Sequence, residues 1–342
     1  MASPQTPTPA AFPRRGRGGS PSDRPAATAR RGPTLRRRES NAGIAFISPT
    51  LIVVLVVVVL PILWTVMLGF QNVRLINIRQ TGVFGEYTLD NFRTVVTSPG
   101  FASTLLTTVE YSVGGTALSI LGGLVAALAL RKPFRGRAAF RAVVLLPYVA
   151  PIVAVTFVWE IMLSPQFGIV NAWGAKLLGW HHPVPFLSEQ TSTMSLFGWH
   201  IHLPLALLTV IVFEGWRYFP FAFLFLLARL QAMPKDVDEA ALVDGATPSQ
   251  RFRHIMLPQL GPVIALLAVL RFIMTFTKFD DVYLLTGGGA GTEVVSVRVY
   301  DFLTAQFDIG AASAQALVLA VVLAIMVAIY MRFFAPSAGS EH

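Results

Sequence analysis

The sequence contains no cysteine and few charges of either sign. Without cysteine there is no disulfide, no thiolate metal site and no cysteine nucleophile. Charged residues make up 13% of the 342 positions, well below the roughly 25% usual in soluble domains. With 54% hydrophobic residues and a mean hydropathy of +0.61, the deficit points to a polytopic membrane protein. The nucleotide-binding pattern G-x-x-x-x-G-K-S/T is absent, so the chain is not expected to hydrolyse ATP. H-E-x-x-H and G-x-S-x-G are absent too, which removes the familiar zinc-hydrolase and serine-hydrolase signatures. Histidines are few. His181 and His182 are adjacent, and His200 and His202 are two apart. A two-residue spacing does not share a helix face, so no metal site is expected; beside Trp180 and Trp199 they read as membrane-interface residues.

What is present is long apolar runs. Six segments, 43–70, 105–130, 142–163, 201–230, 259–279 and 311–334, are each near the about 20 residues that cross a bilayer. Pro61 predicts a kink or tilt in the first, and the fourth holds Pro204 and Pro220. Residues 1–42 are rich in Pro, Ala, Gly, Ser and Arg, with nine arginines, and are expected to be a disordered cytoplasmic tail. This tail reads as an anchor to anionic lipid that fixes topology, and no nucleic-acid partner is expected. No small-residue cleavage site follows the first apolar run, so a cleaved signal is not expected. Residues 335–342 read as a short cytoplasmic tail.

The net charge of +9 matters less than its placement. The N-terminal tail, the loop after the second segment, the 234–258 region and the C-terminal end carry nineteen Lys and Arg, against five on the alternate side. The positive-inside rule therefore predicts cytoplasmic termini and a cytoplasmic 234–258 loop.

That loop is the polar exception in an apolar chain. Pro234 suits the first position of a helix, and Asp236, Asp238 and Glu239 favour its positive N-terminal end. Gly245 is a helix-ending residue. Thr247, Pro248 and Gln250 form the pattern of a capping box opening a second helix. Arg251, Arg253 and His254 follow, and Leu257-Pro258 is expected to close it. The sequence thus predicts a helix–turn–helix hairpin between the fourth and fifth spans. The Thr286-Gly287-Gly288-Gly289 run lacks a phosphate-binding pattern and reads as a flexible connector.

Ionisable residues inside apolar segments are costly and face a bundle interior, a cavity or one another. They are Glu110, Glu160, Glu214, Arg217, Arg271, Lys278, Asp280 and Asp281. Glu214 and Arg217, three apart, are expected to pair along one helix face. A proton relay would need acids near the midplane, for which Glu110, Glu160 and Glu214 are the candidates. Aromatic side chains crowd the fourth and fifth segments; Trp216, Asp280 and Tyr283 are the candidates for lining a solute path, where rings stack on sugar faces and carboxylates bond hydroxyls.

Glu239-Ala240-Ala241, Asp244-Gly245-Ala246, Phe252, Ile255 and Leu257-Pro258 together resemble the EAA loop of permease subunits of binding-protein-dependent ABC importers. Leu89-Asp90-Asn91-Phe92, the run from Pro133 to Arg137 with Phe140-Arg141 and Leu146-Pro147, Trp159, Met162, Gly168 and Asn171 resemble the maltose- and glycerol-phosphate-type sugar branch. So do Trp216 with Pro220-Phe221, and Phe279-Asp280 with Tyr283 and Thr286-Gly287-Gly288. The resemblance covers 43–334. It departs from the best-known members in its longer Arg-rich tail and in lacking a large extra outer domain.

The resemblance implies an all-α membrane protein of six transmembrane helices, similar to type I importer permeases, in the bacterial cytoplasmic membrane. It implies a partner permease subunit as a heterodimer, two ATPase subunits, an extracytoplasmic solute-binding protein and a sugar substrate. No cofactor is expected on this chain, and Mg-ATP would be used by the ATPase partners. The EAA residues would receive force from those partners. No catalytic residue and no metal ligand is expected. A stand-alone ion-coupled transporter or channel is the alternative that the residues leave open.

Overall fold

The structure, a computed structural model, describes residues 46–80, 85–196 and 199–334; the two expected tails lie outside them. By contacts the chain divides into Met1–Val59 and Leu60–His342. In the first, the described residues are helical and end in a π-turn, Leu55–Val59. That turn comes just ahead of Pro61, which has no N–H for the carbonyl four residues back. The apolar helix that contains it, α1, is Phe46–Gly69.

Among the described residues of the second unit, the regular elements are helices and one two-stranded hairpin. Its elements are α2 (Asp90–Thr97), α3 (Phe101–Ala129), α4 (Arg137–Val149), α5 (Ile152–Leu163) and α6 (Ile169–Leu177), then the strands β1 (Ser192–Leu196) and β2 (Trp199–Leu203). After them come α7 (Leu205–Gln231), α8 (Lys235–Val243), α9 (Pro248–Phe276), α10 (Asp280–Thr286), α11 (Val295–Thr304) and α12 (Ile309–Phe334). β1 and β2 pair antiparallel with Ser192 opposite Leu203, a short two-stranded ribbon in an otherwise helical membrane fold. The fourth apolar segment accordingly begins as strand, and Pro204 caps α7 rather than lying inside it.

α7 is the central helix, and its most extensive neighbour is α3. Their seam is built of small residues. A Cβ on Gly115 would meet Glu214 Cγ at 2.7 Å, and one on Gly123 would meet Ala222 Cβ at 2.6 Å. With no water to expel between helices in lipid, close backbone approach supplies the packing energy. Around the seam, Ile120, Phe223, Leu226, Leu260 and Leu267 join α3, α7 and α9. A second core of Tyr111, Val155, Val210, Phe213, Val282 and Leu285 joins α3, α5, α7 and α10.

Among the described residues, five helices are long and apolar enough to cross a membrane. The expected third span, 142–163, differs: α4 and α5 meet at an angle of 95°. Pro147 and Pro151 explain it. A residue ahead of proline is driven out of the helical region, and Ala150 is extended at φ −63°, ψ 142°. The pair counts as a sixth span only as a broken one.

Candidate functional site

The hairpin of 234–258 forms, with two corrections. Pro234 is the N-cap, not the first helical residue, at φ −58°, ψ 130°. The second helix does not close at Leu257-Pro258. It runs unbroken as α9 from Pro248 to Phe276. A π-turn over Phe252–Met256 carries the chain past Pro258: the Leu257 N–H reaches back five residues to the Phe252 carbonyl. The hairpin and the following span are therefore one helix.

Between the two helices the turn is closed by backbone bonds. Gly245 sits at φ +74°; its N–H donates to the Leu242 carbonyl at 3.1 Å, and the Ala246 N–H donates to the Ala241 carbonyl at 2.9 Å. This pair of bonds is a Schellman motif. Thr247 then opens α9 with a capping box, its hydroxyl accepting from the Gln250 N–H while its own N–H donates to Gln250 Oε1 at 2.8 Å.

One acid fastens the hairpin to the bundle, and it is Asp238. It binds Arg251 at 3.1 Å and Arg131 at 3.5 Å. Arg131 also donates to Met256 Sδ. Glu239 and Asp244 form no ion pair among the described residues, and both are exposed, as are Ala240, Gly245, Leu257 and Pro258. Ala241, Ala246, Phe252 and Ile255 are half-buried. Val237, Leu242 and Val243 are exposed apolar side chains on the same short helix, Val243 to 87%.

A second polar constellation lies inside the bundle. Arg271 of α9 donates to Glu214 of α7 at 2.5 Å, with both side chains almost wholly buried. Thr275 and Tyr111 donate to the same carboxylate at 2.9 and 3.2 Å. The Arg271 guanidinium lies 4.2 Å from the Tyr218 ring centroid. Lys278 donates to the Tyr218 hydroxyl and lies 3.9 Å from Asp281. Asp281 is fully buried.

The expected Glu214–Arg217 pair is not formed. Arg217 instead reaches the break between α4 and α5, donating to the Pro147 carbonyl at 3.3 Å and the Ala150 carbonyl at 3.1 Å. Pro151 cannot donate to Pro147, so that acceptor is free to take a guanidinium. Of the three relay acids, only Glu214 is buried; Glu160 is half-buried and Glu110 exposed, so no acid chain is assembled.

The three path candidates separate. Trp216 groups with Trp159 at 5.5 Å and Phe213 at 6.3 Å. Tyr283 stacks on Phe279 at 4.8 Å and meets Tyr300 at 4.9 Å. Asp280 is exposed on the first turn of α10. The glycine run is an ordered turn, in which the Gly289 N–H donates to the Thr286 carbonyl and the Thr286 and Thr292 hydroxyls lie 2.5 Å apart. The sequence marked Asp238 only as an acid at a helix N-terminus and Glu214 and Arg271 only as charges inside apolar segments; the pairing of Asp238 with Arg131 and of Arg271 with Glu214 was not read from it. The available signal was the rule that charges inside an apolar bundle need partners, which does not say which partner.

Comparisons with known proteins agree with this architecture. Residues 119–339 match the profile of the family described as the binding-protein-dependent transport system inner membrane component. The trehalose/maltose transport system permease protein MalF of Thermococcus litoralis is 34% identical over 268 residues, covering 78% of this chain and 84% of that protein. The inner membrane ABC transporter permease protein YcjO of Escherichia coli is 35% identical over 235 residues, 69% of this chain and 75% of that one. The trehalose transport system permease protein SugA of Mycobacterium tuberculosis is 27% identical over 307 residues, 90% and 93%. Among solved structures, a chain of a bacterial ABC transporter involved in import of the acidic polysaccharide alginate superposes with a TM-score of 0.73 at 22% identity, covering 89% of this chain and 99% of that one.

Proposed function

Because the chain belongs to the family of binding-protein-dependent transport system inner membrane components, we propose that it is one permease half of an ATP-driven importer of a sugar or related carbohydrate. Two separate ATPase subunits dock on the cytoplasmic side, a similar permease subunit completes the channel, and a solute-binding protein delivers substrate from outside. Both termini and the hairpin face the cytoplasm, as the placement of basic residues implies.

The observation that carries the proposal is the hairpin's continuity with the membrane span. Closure of an ATPase pair displaces whatever is seated on it. A floppy loop would absorb that displacement. Here α8 is held by the Schellman turn and by Asp238, and α9 continues into the bundle without a break. Glu239, Ala240 and the exposed apolar residues of α8 are the surface offered to the ATPase; Gly245 and the capping box keep that surface in register with α9. Movement of α9 reaches α7 through Arg271 and Glu214, about 28 Å along the helix from Phe252 at 1.5 Å per residue. The aromatic groups around Trp216 and Tyr283, with Asp280, line the solute path.

Gly245→Pro tests the coupling, because proline can neither adopt φ +74° nor supply the N–H that Leu242 accepts. Ala241→Asp tests the docking surface. Both variants are expected to abolish sugar uptake while the subunit stays in the membrane. Normal uptake with normal ATPase association in both would defeat the proposal.

A further inference from the structure

We propose that the loop and first turn at the start of α4 form a binding site for the headgroup of an anionic phospholipid, with one acyl chain lying along the exposed face of α4. The site is independent of which solute is carried.

The first observation is a set of cations without acids. Lys132, Arg135, Arg137 and Arg141 fall within ten residues, and among the described residues no carboxylate lies within ion-pair distance of any of them. Their neighbour Arg131 is satisfied by Asp238; these four are not. What Arg137 and Arg141 do find is neutral. Arg137 donates to the Arg131 carbonyl and Arg141 to the Leu130 carbonyl, each at 3.4 Å. With its amide oxygen turned toward them, Gln231 accepts from Arg137 at 3.2 Å and from Arg141 at 2.6 Å. Two guanidinium groups thus converge on one uncharged oxygen. They repel each other, and the positive end of α4, whose N-cap Gly136 offers no side-chain acceptor, adds to the repulsion. A phosphate would supply the missing charge.

The second observation says where such a phosphate comes from. Phe140, Val143 and Leu146 recur every three residues along α4, within about 120° of one another round the helix, and are 59%, 60% and 61% exposed. Phe134 meets Phe140 edge to face at 5.8 Å, and Phe134 is itself 43% exposed. An apolar stripe that starts directly beneath a cationic cluster has the chemistry of a phospholipid, headgroup above and chain below. Thirteen residues of helix make about 20 Å, enough to accompany an acyl chain through one leaflet. An acidic segment of a partner protein would satisfy the arginines and leave the stripe bare.

The test uses the assembled importer purified in a non-ionic detergent and offered phosphatidylglycerol and phosphatidylcholine in equal amounts, with bound lipid counted by native mass spectrometry. The wild-type complex is expected to retain phosphatidylglycerol over phosphatidylcholine. Arg137→Gln with Arg141→Gln is expected to lower that preference about thirtyfold, the effect of removing two surface-proximal basic groups. Arg253→Gln, an exposed basic residue of α9, is expected to leave it unchanged. Should the double variant fail to assemble, Lys132→Gln with Arg135→Gln on the exposed loop gives the same readout. Equal retention of the two lipids, or an unchanged preference in both double variants, overturns the site. So does displacement of phosphatidylglycerol by millimolar inorganic phosphate, which would make it a free-anion site. Loss of ATPase subunits without any change in bound lipid would assign the cluster to a protein interface and overturn it as well.

Discussion

At the scale of single residues, charges in the bundle are settled by partners. Glu214 has three donors on two helices, so its carboxylate is tied to α3 and α9 at once. Removing one member of a buried ion pair strands the other, at a cost of about 3–5 kcal/mol, whereas replacing both with apolar groups is nearly neutral. Glu214→Gln alone is expected to lower the thermal midpoint of the purified complex sharply, and Glu214→Leu with Arg271→Met to recover most of the loss.

At the scale of elements, proline positions decide the geometry. Pro61 and Pro258 each follow a π-turn, and in α9 the extra residue lets the helix pass a proline intact. Pro147 and Pro151 act differently, because Ala150 between them is extended and the chain turns through 95°. Arg217 then occupies the two carbonyls left at the break. Arg217→Gln cannot span both, and each orphaned buried acceptor costs about 1–3 kcal/mol. The expected outcome is a broadened distance distribution between spin labels at Ala142→Cys and Phe157→Cys, with Arg217→Lys intermediate. The cysteine-free background makes that labelling direct. A distribution as narrow as that of the parent would show that the prolines alone hold the bend.

At the scale of the whole molecule, the proposed working surfaces are those the chain would offer to other subunits. The hairpin exposes apolar residues that a soluble loop would bury, and the core-facing helices carry their polar groups inward. The proposed orientation rests on the nineteen basic residues that the positive-inside rule groups on one side and can be measured with single cysteines. Ser249→Cys, on the hairpin, is expected to react with a membrane-impermeant thiol reagent only in inverted vesicles. Ser188→Cys, in the loop ahead of β1, is expected to react only in intact cells. The reverse pattern would invert the topology and with it the docking side. The existence and capping of the hairpin were legible because Gly245, Thr247 and Gln250 act within one turn of the chain. The broken third span was only half legible. Two prolines four residues apart announce a disturbance, but the bend also depends on Arg217, some seventy residues away, which supplies donors at the break.

By itself, the sequence determined the membrane environment, most of the apolar helices, the turn and the capping box of the hairpin and the family, because each rests on composition or on residues close together along the chain. Only the tertiary structure decided which charges meet. Arg271 rather than Arg217 pairs with Glu214, Asp238 rather than Glu239 or Asp244 ties down the hairpin, and Arg137 and Arg141 meet no acid among the described residues. Spacing along a helix sets which side chains share a face. A buried charge takes the partner that the packing of neighbouring helices brings within hydrogen-bond reach, and that packing is set by contacts distant in sequence, here the glycine seam between α3 and α7.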